Sequence, residues 1–150
     1  MSNKQFKKKL EKGEDVERRF VKYLQKKYPK TYKIEGNNKD GDIFVPEANK
    51  MIEVKNDKGS TDTPNYFIEF SCNGEKSGIA ATKSDFWFIY DEFNCMWVNT
   101  PKLKTLCKDF GRYWKGIPEK ENCSIEAFLV PQNVIKDNAD LIRKGEVYGL

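Results

Sequence analysis

The chain contains no histidine. That excludes Ser-His-Asp triads, Cys-His pairs, histidine-dependent phosphodiester chemistry and HExxH zinc proteases, all of which need an imidazole. Proton transfer near neutral pH must then run through carboxylates, lysine or a metal-activated water. Cysteine is scarce: Cys72, Cys95, Cys107 and Cys123, with no CxxC pair among them. A zinc site is therefore not expected, and the four read as reduced, mostly buried thiols. No run of about 18 apolar residues is present to cross a membrane. No apolar stretch follows the basic N-terminal residues, as it would in a secretory leader. The expectation is a cytoplasmic protein without a membrane partner.

What is present suits one domain. At 150 residues the chain is long enough for a sizeable core, and 10 Phe, 7 Tyr and 3 Trp make that core aromatic. The net charge of +4 is uneven, because residues 1–30 hold 11 Lys/Arg against 4 Asp/Glu. Lys7, Lys8 and Lys9 stand in a row. Residues 1–12 read as a flexible basic arm that can neutralise phosphates, although the segment taken alone favours a solvated, frayed terminus. Residues 13–150 read as a single domain.

Hydrophobic periodicity predicts a helix over 14–28, ended by Pro29. Strands are predicted over 31–35, 42–46, 50–55, 65–71, 86–90, 94–99 and 125–130, with a helix over 101–110. A short helix is expected before residue 86, and another in the tail from residue 131. The order gives an α/β fold with a mixed sheet flanked by helices.

The informative stretch is GDIFVPEANKMIEVKND, residues 41–57. Side chains of a strand alternate faces. Ile52 and Val54 therefore share the core face, and Glu53 and Lys55 project together on the other. In the strand before, Ile43 and Val45 point to the core, which leaves Asp42 opposite them. A short turn pairs the two strands and brings Asp42 near Glu53. Facing carboxylates destabilise a sheet, and a divalent cation resolves that, since carboxylate oxygens suit Mg²⁺ or Mn²⁺. On the preceding helix, Leu24, Tyr28, Val21 and Phe20 lie within about 60° of Glu17 at 100° per residue. Two readings fit Glu17: a metal-directed carboxylate, or an acid kept wet in the first turn where it favours the helix dipole. A site of this type cuts phosphodiesters without histidine. The metal polarises the phosphate, and Lys55 steadies the nucleophile and the developing charge. Strand geometry also places the Val54 carbonyl for coordination.

With Asp42, then Glu53-Val54-Lys55 eleven residues on, and Glu17 on the helix before, the chain resembles the PD-(D/E)XK nuclease superfamily over roughly residues 14–90. The residue before Asp42 is Gly41 rather than proline. The stretch SGIAATKSDFWFIY, residues 77–90, is similar to small phage-type or Holliday-junction-resolvase-like endonucleases. The resemblance implies a restriction-endonuclease-like αβββαβ core and a Mg²⁺- or Mn²⁺-dependent deoxyribonuclease, expected to be an endonuclease. It implies Asp42, Glu53, Lys55 and Glu17 as catalytic residues, and Asp42, Glu53, the Val54 carbonyl and Glu17 as metal ligands. It also implies branched or phage DNA as partner, a homodimer, and a bacterial or phage-infected cytoplasm. Lys7, Lys8, Lys9, Thr82 and Lys83 are the candidate DNA contacts, with a polar helix end as the other reading of Thr82-Lys83. Glu69 either extends the acidic site or bonds a neighbour, and Asp85 reads as a turn or cap residue. Trp87 and Trp97 read as core, while Trp114, between Arg112 and Lys115, is the exposed aromatic best suited to stack a base. The rival function is a nucleic-acid-binding module of the same fold that does not cut.

Overall fold

The computed structural model describes residues 15–36, 41–57, 64–118 and 123–150. The basic run Lys7, Lys8 and Lys9 lies outside the described residues. The first helix, α1, is described over 15–25. Its buried residues Val16, Phe20, Val21 and Leu24 follow the i, i+4 stripe of the sequence. It stops short of the predicted residue 28 and gives way to turns before Pro29.

The strands are β1 (Tyr32–Lys33), β2 (Ile43–Val45), β3 (Lys50–Asn56), β4 (Asn65–Cys72) and β5 (Glu75–Lys76). After the short α2 (Gly78–Ala81) come β6 (Phe86–Tyr90), β7 (Asn94–Asn99) and α3 (Thr100–Phe110). The chain then forms β8 (Arg112–Gly116), β9 (Ile125–Pro131), α4 (Gln132–Asn138), β10 (Leu141–Lys144) and a closing 3-10 turn, Gly145–Tyr148. The strands make two sheets, β1-β2-β3-β6-β7-β10 and β5-β4-β9-β8. The first is mixed, since β3 runs parallel to β6 and antiparallel to β2.

β6 reads FWFIY without alternation because both of its faces are covered. Phe88 and Tyr90 join Ile43, Val45, Ile52, Val54 and Cys95 under α1, with the Phe20 and Phe88 rings stacked at 3.9 Å. Trp87 and Ile89 join Met96 and Val98 on the opposite face, against Leu103 and Leu106 of α3, Ile135 of α4, and Tyr66, Ile68 and Val130 of the second sheet. Trp97 is only half-buried, at the rim of the first cluster.

The protein is thus a mixed α/β fold with a six-stranded mixed sheet flanked by helices. The second sheet, β5, β8 and β10 are additions to the sequence reading. Among the described residues no helix is long and apolar enough to cross a membrane. No cysteine is in a disulfide, and burial pushes the Cys95 and Cys107 thiols up to about 12. Titration with a thiol reagent at pH 8 is expected to label the half-buried Cys72 and Cys123 quickly. Cys95 and Cys107 should react only after denaturation, because the thiolate is the nucleophile.

Candidate functional site

The site grows from the junction of β2 and β3. Ile43 pairs Ile52, and just before that pair the backbone departs from the ladder. The Asp42 N–H donates to the Ile52 carbonyl (2.9 Å), while the Asp42 carbonyl accepts from Ile34. The Asp42 carboxylate accepts the Val54 N–H at 2.8 Å. Asp42 is therefore tied to both neighbours of Glu53.

Gly41 makes this turn possible. Its φ is +144°, and a Cβ there would lie 2.4 Å from Met51 Cγ and 2.7 Å from Ser84 Oγ. A proline, locked near −65°, does not fit there. Gly41→Ala is expected to lower stability by about 1–3 kcal/mol, read as a fall of several degrees in Tm. An unchanged Tm would show that the turn is not strained.

Glu53 and Lys55 lie on the face opposite Ile52 and Val54, as alternation requires. Glu53 stands across the parallel pair from Trp87. Lys55 Nζ lies 3.9 Å from Glu53 Oε1 and 5.5 Å from the centre of the Trp87 ring. Burial, and next the Asp42 charge, push the Glu53 carboxyl up to about 7, with Lys55 opposing. The Asp42 carboxyl is also raised by burial, against the Val54 N–H, Lys55 and Lys33. Trp87 Nε1 is buried with no hydrogen-bond partner, an unsatisfied donor beneath the site.

Glu17 arrives by another route. α1 packs on the Ile52–Val54 face, and Glu17 pairs with Lys33 of β1 at 3.4 Å. Its charge reaches Glu53 only as the weakest of four influences. Thr82 closes α2, and its hydroxyl accepts the Ser84 N–H at 3.2 Å. Because the Ser84 hydroxyl abuts Gly41, this segment comes up beside Asp42, with Lys83 exposed. Glu69 accepts from the Ser77 hydroxyl (2.6 Å) and serves the β4–α2 junction. Asp85 ties β6 to β3 by accepting the Met51 N–H at 2.8 Å.

Asp42, Glu53 and Lys55 are thus brought together, and Glu17 stands at their margin with Lys33. Sequence reasoning missed Lys33 and the part of Trp87 that underlies Lys55. Both contacts are long-range and leave no local pattern.

Among the described residues no three or more acidic or cysteine side chains gather into a group that could hold a metal. The donors on hand are two carboxylates and a carbonyl. In a strand the N–H and C=O of one residue point to the same side, so the Val54 carbonyl faces the Asp42 side. This all-oxygen set fits Mg²⁺ or Mn²⁺, which keep several waters and need only one or two carboxylates. The raised Glu53 carboxyl marks a negative charge that such an ion would relieve. Comparison of the chain with protein-family models, curated proteins and solved structures gives no match.

Proposed function

We propose that the protein is a metal-dependent deoxyribonuclease of the PD-(D/E)XK type, cutting within DNA. The observation that carries this reading is the Asp42-Glu53-Lys55 cluster. Two half-buried carboxylates on one sheet face repel each other and weaken a fold, and with the lysine beside them they suit phosphodiester hydrolysis. Asp42 and Glu53, with the Val54 carbonyl and waters, would hold Mg²⁺ or Mn²⁺. When bound, the ion supplies Lewis acidity toward the scissile phosphate.

The other contributions come from the chain itself. The Val54 N–H fixes the Asp42 carboxylate. The Lys55 ammonium, resting over Trp87, faces the charge that grows on the phosphoryl oxygens. Lys33 holds Glu17 beside the site, and Thr82-Lys83 supplies backbone phosphate contacts at its rim. In this reading the αβββαβ core is α1, β1–β3, α2 and β6, and the second sheet is an elaboration inserted between β3 and β6 and after α3.

The test is incubation of supercoiled plasmid, linear duplex and branched DNA with the chain in Mg²⁺, Mn²⁺ or EDTA. Nicking or linearisation in metal, absent in EDTA, is expected. DNA binding with no cleavage in either metal would favour a second reading, a nuclease-fold binding module. One observation favours that reading: among the described residues no third carboxylate joins the pair, and Glu17 is engaged by Lys33.

A further inference from the structure

We propose that the outer face of the four-stranded sheet is a stacking platform for a single DNA strand, built on Trp114 and Phe67 with Arg112 beside them. The register sets Arg112 across from Leu129 and Leu129 across from Phe67, with Trp114 across from Ala127 in the row that also holds Glu69. These residues therefore share one face. The inner face carries Tyr66, Ile68 and Val130 against α3 and α4. The Trp114 and Phe67 rings meet at 5.0 Å and 75°. The indole lies low over the sheet: a Cβ on Gly116 would stand 2.7 Å from Trp114 Cη2, and Ala127 is fully buried. A ring laid over a glycine and an alanine is held in place, and Phe67 beside it is 38% exposed.

Charge and ring chemistry select the occupant. β4, β8 and β9 contain two acids, Glu69 and Glu126. Each accepts a serine hydroxyl, from Ser77 and Ser71 respectively. Arg112 on the edge strand β8 is exposed on this face, whereas Lys115 lies on the other face, across from Glu126. A fixed aromatic pair beside one cation, Arg112, that is in no ion pair among the described residues matches a nucleic-acid strand. Bases stack on the rings, and Arg112 meets a phosphate or a base plane. Duplex DNA presents no free base faces.

The platform also adjoins the candidate site. The Phe67 N–H donates to Asp57 at 3.2 Å, and Asp57 is two residues beyond Lys55. That is about 7 Å along the strand, close to the reach of one nucleotide. A strand stacked here and continuing to Lys55 describes a substrate with an unpaired segment, such as a flap or branch. The choice of DNA, and that continuation, rest on the nuclease reading.

The test is fluorescence anisotropy of a labelled oligodeoxythymidine with the full chain in EDTA, against Trp114→Ala, Phe67→Ala, Trp114→Phe and Phe93→Ala. Trp114→Ala and Phe67→Ala are expected to weaken binding about tenfold. Trp114→Phe should retain most of the affinity, Phe93→Ala should be neutral, and blunt duplex should compete poorly. Circular dichroism checks folding; if Trp114→Ala does not fold, Phe67→Ala and Arg112→Glu decide. Wild-type affinity in the variants, or equal competition by duplex, overturns the platform. So does a Trp114-dependent dimer without oligonucleotide binding. If Trp114-dependent binding persists while no DNA is cut in any metal, the platform stands and the nuclease reading fails.

Discussion

Asp42→Ala and Lys55→Ala are each expected to reduce metal-dependent DNA cleavage by about 10²–10³-fold or more, for different reasons. Asp42 is bonded to the backbone on either side of Glu53. Its loss removes one of two candidate ligand carboxylates and also the partner of the Val54 N–H. Mg²⁺ affinity should fall together with the rate. Lys55 is a point charge 3.9 Å from Glu53 and is not a ligand. Its loss should leave Mg²⁺ bound and DNA affinity within a few-fold, while the single-turnover rate collapses. The double variant should be little worse than either single, because groups that act as one unit are not additive. Glu17→Ala should cost only about tenfold, the effect of a supporting residue, since Lys33 already engages it. Gel assays of plasmid nicking, with calorimetric Mg²⁺ titration of each variant, separate these roles. Full activity in Lys55→Ala would remove Lys55 from the mechanism, and unchanged Mg²⁺ affinity in Asp42→Ala would remove the metal assignment.

Glu53→Gln is expected to abolish cleavage and yet stabilise the metal-free protein at pH 8. In the folded chain the Glu53 carboxyl keeps its proton up to about 7, against 4.5 for an unperturbed glutamate. Between those values the folded state binds more protons than the unfolded state, so stability falls as pH rises from about 4.5 to about 7. Above 7 the whole penalty is present, and below 4.5 none of it is. At 1.36 kcal/mol per pH unit, glutamine should recover about 1–3 kcal/mol at pH 8 and nothing near pH 4. Asp42, also raised by burial, leaves a smaller dependence of the same sign in the variant. Mg²⁺ should invert the comparison. A ligand that binds only the folded state at a hundred times its Kd adds about 2.7 kcal/mol, to wild type and not to Glu53→Gln. Denaturant unfolding from pH 4 to 9, in EDTA and in Mg²⁺, reads both effects. A difference between the proteins that does not change with pH would show that Glu53 is not strained by its burial.

Much of this arrangement is legible locally. The i, i+4 stripe Val16-Phe20-Leu24 specifies which face of α1 is buried, and the alternation Ile52-Glu53-Val54-Lys55 specifies which side chains leave the core. Both patterns depend only on backbone geometry, so they survive any tertiary context. The short β8 does not announce itself. Its residues RYWKG mix charge, aromatics and glycine, and its strand identity comes from pairing with β9. β10 likewise exists through its ladder with β7, more than forty residues away. Pairing of that kind depends on which edges the rest of the fold leaves open, and no window of sequence encodes it.

The sequence by itself determined the chemistry available: carboxylates and lysine in a histidine-free chain, set on one strand face by alternation. It also determined the apolar stripe and runs that build a mixed α/β core. Tertiary structure alone decided the environment of those groups. It set Asp42 astride Glu53 through a glycine whose φ of +144° is strained for any other residue. It gave Glu17 to Lys33 rather than to the carboxylate pair, and laid Trp87 beneath Lys55. It also opened one face of a second sheet around Trp114 and Phe67. The physical reason is range. Periodicity acts over one or two turns or strand repeats, whereas burial, charge coupling and ring contacts join residues that only the folded chain brings together.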